Sequence, residues 1–260
     1  MQRPTMTPNM SESIMNSMES RLQVVKGRIL AACSQAGRSA DGVELLAVSK
    51  TFGAETVRQA FAAGQRAFGE NYVQEALDKI AALADLRAEI QWHMIGPLQS
   101  NKTRGVAEAF DWVHSVDRFK IAQRLAEQRP AHLPPLNVCL QVNVSGEASK
   151  GGVALAELAA LALQVAALPA RSLRLRGLMS IPAPAVGLAA QREPHRLLRE
   201  QLQQLQAELQ RELHHTPSGQ SLQLDTLSMG MSDDLEAAVL EGATCVRVGS
   251  AIFGQRTAAA

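Results

Sequence analysis

The chain has 260 residues, 46% of them hydrophobic, enough to bury one large core as either one barrel-sized domain or two small ones. Lys and Arg number 26 and Asp and Glu 25, so a net charge of +1 gives no long-range field to gather nucleic acid or an anionic membrane. A small-molecule partner is expected.

The opening MQRPTMTPNMSES has no apolar signal segment, and no uninterrupted apolar run in the chain is long enough to span a bilayer. Residues 1–13 therefore read as the flexible N-terminus of a soluble, cytoplasmic protein, ahead of a single domain over 14–260. Cys33, Cys139 and Cys245 lie far apart, with neither a CxxC pair nor disulfide-framework spacing, and read as buried thiols.

In chain order, a helix is predicted over 14–36, and from residue 44 onward short β-rich runs alternate with helical patterns. The runs are ELLAV (44–48), RAFG (66–69), QWHMI (91–95), DWVHSV (111–116), NVCLQVNV (137–144), LRLRGLMSI (173–181), LDTLSM (224–229) and CVRVGSA (245–251). Between them, stretches such as YVQEALDKIAALA and HRLLREQLQQLQAEL place apolar residues three to four apart. Strict alternation predicts parallel strands with crossover helices. Eight such units in a chain of this length match a closed (β/α)8 TIM-type barrel with an extra N-terminal helix. An open doubly wound sheet is the alternative, but the GxGxxG turn it would need for a dinucleotide is replaced by SKTFGAE. The stretches IPAPAVGLAAQREP (181–194) and HTPSGQS (215–221) are short enough to be loops of one domain.

The chemistry of such a barrel belongs at the carboxyl ends of its strands. Lys50 stands there, after the first strand; alone it reads as a solvated charge. On the eighth strand, alternation puts Arg247 on the side of Gly249, facing the barrel interior, where it needs a protein carboxylate or a ligand as acceptor. SMGMSDD (228–234) and GSAIFG (249–254) follow strands seven and eight, the first with Ser232 or Asp233 as a helix cap and the second with a short extra helix. Barrels commonly bind phosphate at those two loops. First and eighth strands are neighbours in a closed barrel, so these features share a pocket. A phosphate anchor, an imine-forming amine and an arginine for a ring nitrogen together describe a pyridoxal phosphate (PLP) site.

The segments LLAVSKT, FGENYVQEA, WHMIGPLQSNK, HSVD, LMSIPAP and LSMGMSDDLEAAVLEGATCVRVGSAIFG carry a family resemblance. From about residue 44 to 254 the chain resembles the pyridoxal phosphate homeostasis proteins, single-domain barrels similar to the N-terminal domain of alanine racemase. The resemblance implies that Lys50 holds the cofactor as an internal aldimine and that Arg247 faces the pyridine nitrogen. It further implies that Ser228, Gly249 and Ser250 hold the phosphate, with Asn71 and Met229 flanking the site. Departures are Ser250 where threonine is usual, Leu235 where phenylalanine is usual, and a less acidic SGEASKGG (145–152).

Other residues are weighed against structural roles. His93 and His114, near the ends of strands three and four, read as hydrogen-bonded structure, and His214 and His215 have no partners at metal-ligand spacing, so no metal is expected. Met94, Met179, Met229 and Met231 lie near strand ends, where core filling is the commoner use of methionine. In WHMIGPLQSNK, Ser100 is a candidate helix cap, with Asn101 and Lys102 at the helix start. Lys150, between glycines in SGEASKGG, reads as a solvated loop charge, with transient capture of the aldehyde as its functional alternative.

Two function classes follow. One is an enzyme, a PLP-dependent amino acid racemase or a Schiff-base aldolase; the other is a monomeric, non-catalytic carrier that buffers PLP and hands it transiently to apo-enzymes. A racemase needs two bases on opposite faces of the substrate carbon. The resemblance supplies only Lys50, alanine racemases take a tyrosine base from a second domain, and the sole tyrosine here is Tyr72. The carrier is the expected function.

Overall fold

Ser17 opens the first helix by accepting a hydrogen bond from the Ser20 N–H at 3.1 Å, and helix α1 then runs Met18–Gln35. The computed structural model describes residues 17–147, 150–213 and 223–254. The N-terminal segment 1–13, His214, His215 and the HTPSGQS loop lie outside the described residues. Leu22, Val25, Ile29 and Ala32 recur at three- and four-residue spacing, and this stripe is buried.

Eight parallel strands close in chain order, β1 (Glu44–Val48), β2 (Ala67–Glu70), β3 (Gln91–Met94), β4 (Trp112–Val116), β5 (Leu136–Gln141), β6 (Leu173–Met179), β7 (Thr226–Ser228) and β8 (Cys245–Val248). Strand β8 pairs with β1 in parallel, which closes the barrel and leaves no sheet edge. The open-sheet alternative is thereby eliminated. Outside lie α2 (Ala54–Ala62), α3 (Val73–Ala82), α4 (Thr103–Ala109), α5 (Phe119–Gln128), α6 (Leu158–Ala166), α7 (Leu188–Leu213), α8 (Leu235–Leu240) and α9 (Ser250–Phe253). No helix among the described residues is long and apolar enough to cross a membrane.

Most element boundaries differ from the sequence reading by a few residues, and three of the differences are informative. The fifth strand stops at Gln141 because Val142 makes only an isolated bridge to Val153, beside Gly152 at φ 122°. The seventh is shortened to three residues. Helix α7 begins at Leu188, so Pro194 is inside a helix and not at the end of a loop.

The strands alternate between two environments. Leu45, Ala47, Phe68, Trp92, Met94, Leu227, Met229, Val246 and Val248 join the helices in one large apolar layer, whereas Leu46, Val48, Ala67, Ile95 and Cys245 form a separate small cluster inside the barrel. The interior also holds buried polar residues, among them His93, His114, Ser228 and Arg247. Such groups must be hydrogen-bonded to each other or to a ligand.

Candidate functional site

Strands β1 and β8 set the frame. Leu46 is paired with Arg247 and Ala47 with Val248, so Arg247 lies one alternation step below Gly249 and the turn that carries Lys50 follows directly above Val48. A Cβ on Gly249 would sit 3.2 Å from the Val48 carbonyl oxygen, so a bare glycine is what allows β8 to leave the sheet this close to β1. Lys50 shares the parity of the inward-facing Leu46 and Val48 and is partly exposed at the rim.

Arg247 is 4% exposed. Its Nη1 donates to Ser228 Oγ at 2.8 Å and its Nη2 to the Ser180 carbonyl at 2.7 Å. Neither acceptor is a carboxylate, so the core ion pair that an inward arginine might have formed is replaced by a hydroxyl and a peptide oxygen. Burial pushes the guanidinium below its ordinary value, opposed more weakly by Cys245 and Asp234. Arginine keeps its proton even so, and the site retains a fixed positive charge.

Below Arg247 the polar chain continues. His114 Nδ1 lies 2.7 Å from Ser228 Oγ, and His114 Nε2 lies 3.0 Å from His93 Nδ1. Burial lowers the His93 value to about 3 and, together with His93 and Arg247, holds His114 well below 6.5, so both imidazoles are neutral. His93 Nε2 is buried with no protein partner, and His93 lines a cavity of about 240 Å³ together with Glu44, Trp112 and Arg176. Burial also pushes the Cys139 thiol up to about 12 and raises that of Cys245, so neither is a thiolate.

At the mouth, Asn71 follows β2, and its Oδ1 is buried without a hydrogen-bond partner. Gly96 fixes this residue, because a Cβ there would overlap the Asn71 carbonyl. The loops after β7 and β8 meet where Ser250 Oγ lies 3.3 Å from Ser232 Oγ. Helix α1 braces both: Arg28 Nη2 donates to the Ser232 carbonyl at 2.9 Å, and Arg21 Nε to the Ile252 carbonyl at 2.6 Å.

The structure brings Lys50, Arg247, Gly249 and Ser250 to one corner of the barrel mouth, shows what the other candidates touch, and corrects the helix caps. The Ser228 hydroxyl accepts from Arg247 Nη1 and also meets His114 Nδ1, so it supports the arginine from inside the barrel. Met229 has the opposite parity, and its side chain is fully buried in the layer between sheet and helices. Helix α8 begins after Asp234, whose Oδ1 accepts from the Met231 N–H, so neither Ser232 nor Asp233 is the cap. Ser100 caps nothing with its side chain; its carbonyl accepts from Thr103 Oγ1. Lys150 Nζ is 3.7 Å from Glu147, a loop ion pair. Ser180, which the sequence did not single out, enters through its backbone oxygen, and no residue pattern could have announced it.

These residues suit a phosphorylated pyridine aldehyde. Arg247 offers a cation whose protein acceptors are both neutral, Asn71 an orphaned buried oxygen, and the Gly249–Ser250 turn a partly exposed stretch of backbone at a helix start.

A family model described as alanine racemase, N-terminal domain, matches residues 26–257. The pyridoxal phosphate homeostasis protein of Pseudomonas aeruginosa is 59% identical over 242 residues, covering 93% of this chain and 97% of the relative. That of Escherichia coli is 52% identical over 243 residues, covering 93% and 98%. Among solved structures, PipY of Synechococcus elongatus with PLP bound superposes with a TM-score of 0.74 at 37% identity, over 92% of this chain and all of that one. Alanine racemase of Corynebacterium glutamicum shares the fold alone, with a TM-score of 0.58 and 16% identity over 62% of its chain.

Proposed function

The chain belongs to the pyridoxal phosphate homeostasis protein family, and from that membership we propose that it binds pyridoxal 5'-phosphate as an imine on Lys50, buffers the free aldehyde and delivers it to apo-enzymes as a cytoplasmic monomer. The observation that carries the reading is Arg247: a fully inward guanidinium, held by a hydroxyl and a carbonyl, one strand away from the lysine turn. A bound PLP supplies a reactive aldehyde and an electron-accepting ring. A partner that never gives up its proton leaves the ring nitrogen unprotonated and weakens that electron sink, which suits storage better than carbanion chemistry. Lys50 provides the amine, the Gly249–Ser250 turn with the Ser232 hydroxyl receives the phosphate, and Asn71 borders the ring.

The test is spectroscopic. Purified protein given PLP should show the visible absorbance of a lysine imine, bleached by borohydride, and mass spectrometry of the reduced protein should place the cofactor on Lys50. Lys50→Ala should lose the covalent adduct yet keep weaker binding through Arg247 and the phosphate loops. A colourless protein, or an adduct found solely on another lysine, would contradict the assignment.

A further inference from the structure

The turn after β1 is strained and is held from behind. Thr51 has φ 69°, a left-handed conformation that a β-branched residue adopts only where its surroundings impose it. The surroundings here are a charged cluster on the outer side of the sheet, beneath α3. Lys79, 5% exposed, donates to the Ser49 carbonyl at 2.7 Å, to Glu70 Oε1 at 2.8 Å and to Glu75 Oε1 at 2.6 Å. Its three N–H groups are thereby matched. Glu75 Oε1 accepts the Thr51 N–H at 2.6 Å, and the Ser49 hydroxyl donates to Glu70 at 2.6 Å.

The geometry is specific to Lys50. The Ser49 carbonyl belongs to the peptide that precedes it, and the Thr51 N–H to the peptide that follows. Fixing both planes fixes the two backbone dihedrals of Lys50. Ser49 and Thr51 face the cluster while Lys50 has the inward parity of Leu46 and Val48. We propose that Lys79 and Glu75 are positioning residues that hold the Lys50 backbone in the conformation from which its amine meets an aldehyde in the barrel mouth. The inference rests on the PLP reading of the site and extends it to residues that touch no cofactor. Pre-organisation of this kind strengthens an intramolecular bond by removing the ordering cost at the moment it forms.

Glu75→Leu removes the acceptor for Thr51, whereas Glu75→Gln keeps an oxygen in the same place. Glu75 is partly exposed, so both variants should fold. In ligand-free protein, hydrogen exchange at the Thr51 amide should be slow in wild type and Glu75→Gln and fast in Glu75→Leu. On titration with PLP, imine absorbance should show about five- to tenfold weaker formation in Glu75→Leu, the loss expected for one hydrogen bond at a partly exposed site, with Glu75→Gln restoring most of it. Lys79→Met should act in the same direction; because it strands Glu70 and can unfold the protein, the decision rests on the Glu75 pair. Two results overturn the proposal: a Thr51 amide still protected in Glu75→Leu, or a folded Glu75→Leu protein with exchanging Thr51 and undiminished imine formation. A wild type that forms no imine on Lys50 instead refutes the PLP reading, and the inference falls with it.

Discussion

Arg247 shows how much of the site depends on contacts remote in sequence. Its inward direction follows from strand alternation in CVRVGSA, and its proximity to Lys50 from closure of the barrel, so both were legible in the sequence. Its holders were not, because His114 meets Ser228 across 114 positions and Ser180 contributes a backbone atom. The two imidazoles below it yield a pH prediction. Their folded-state values are depressed, His93 to about 3, while an unfolded histidine titrates near 6.5. Between these limits the unfolded chain binds more protons, so stability falls as pH drops below about 6.5, by about 1.4 kcal/mol per pH unit per imidazole. Above that pH these residues add no slope. Ring nitrogen shifts measured by NMR should remain those of neutral imidazole for His93 and His114 down to about pH 5, where an exposed histidine is protonated. An imidazolium signature for either ring at that pH would show that the relay is open to solvent.

At the scale of elements, helix α1 has a role beyond covering the barrel. Arg28 makes a two-pronged pair with Glu236 on α8, at 2.6 and 2.8 Å, and reaches the Ser232 carbonyl, while Arg21 holds the end of α9. The extra helix thus ties down the two loops assigned to the phosphate. Hydrophobic periodicity made α1 legible in the sequence, but these arginines were not singled out there. Their function depends on side chains and carbonyls some 200 positions away, for which local pattern holds no signal. Strand existence was legible and strand ends were not: short apolar runs alternating with helical patterns mark the former, while Gly152 against Val142 and Asn143 decides where the fifth strand stops. Arg28→Met should cost about 1 kcal/mol or less in thermal or urea unfolding, since the pair is partly exposed. Its larger effect should be on ligand: release of PLP should accelerate by about threefold, the loss of part of one hydrogen bond's contribution to the loop. Stopped-flow transfer to an apo-enzyme would register it, and an unchanged release rate would mean that the loops hold their shape without α1.

For the molecule as a whole, the fold it shares with alanine racemase leaves open whether the barrel works as an enzyme, since one fold hosts many activities and the site must decide. Racemisation needs a base on each face of the substrate carbon and an electron sink to hold the carbanion between them. Lys50 offers one amine. Tyr72, the chain's tyrosine, is 56% exposed as the residue preceding α3. His93 and His114 are neutral, but they lie beneath Arg247 and are hydrogen-bonded to each other and to Ser228, on the far side of the guanidinium from the mouth. An arginine at the ring nitrogen, the place proposed for Arg247, would leave that nitrogen unprotonated. With no second base placed and a weakened sink, wild-type protein loaded with PLP and incubated with L-alanine in deuterated water should leave the α-proton signal essentially unchanged. Turnover should lie far below the range of about 1 to 1,000 per second common for enzymes. Proton NMR over hours is sensitive enough to decide. Rapid loss of the α-proton with accumulation of D-alanine, abolished in Lys50→Ala, would make this barrel a racemase in its own right. Exchange without racemisation would contradict the weakened sink and leave only the opposite base missing.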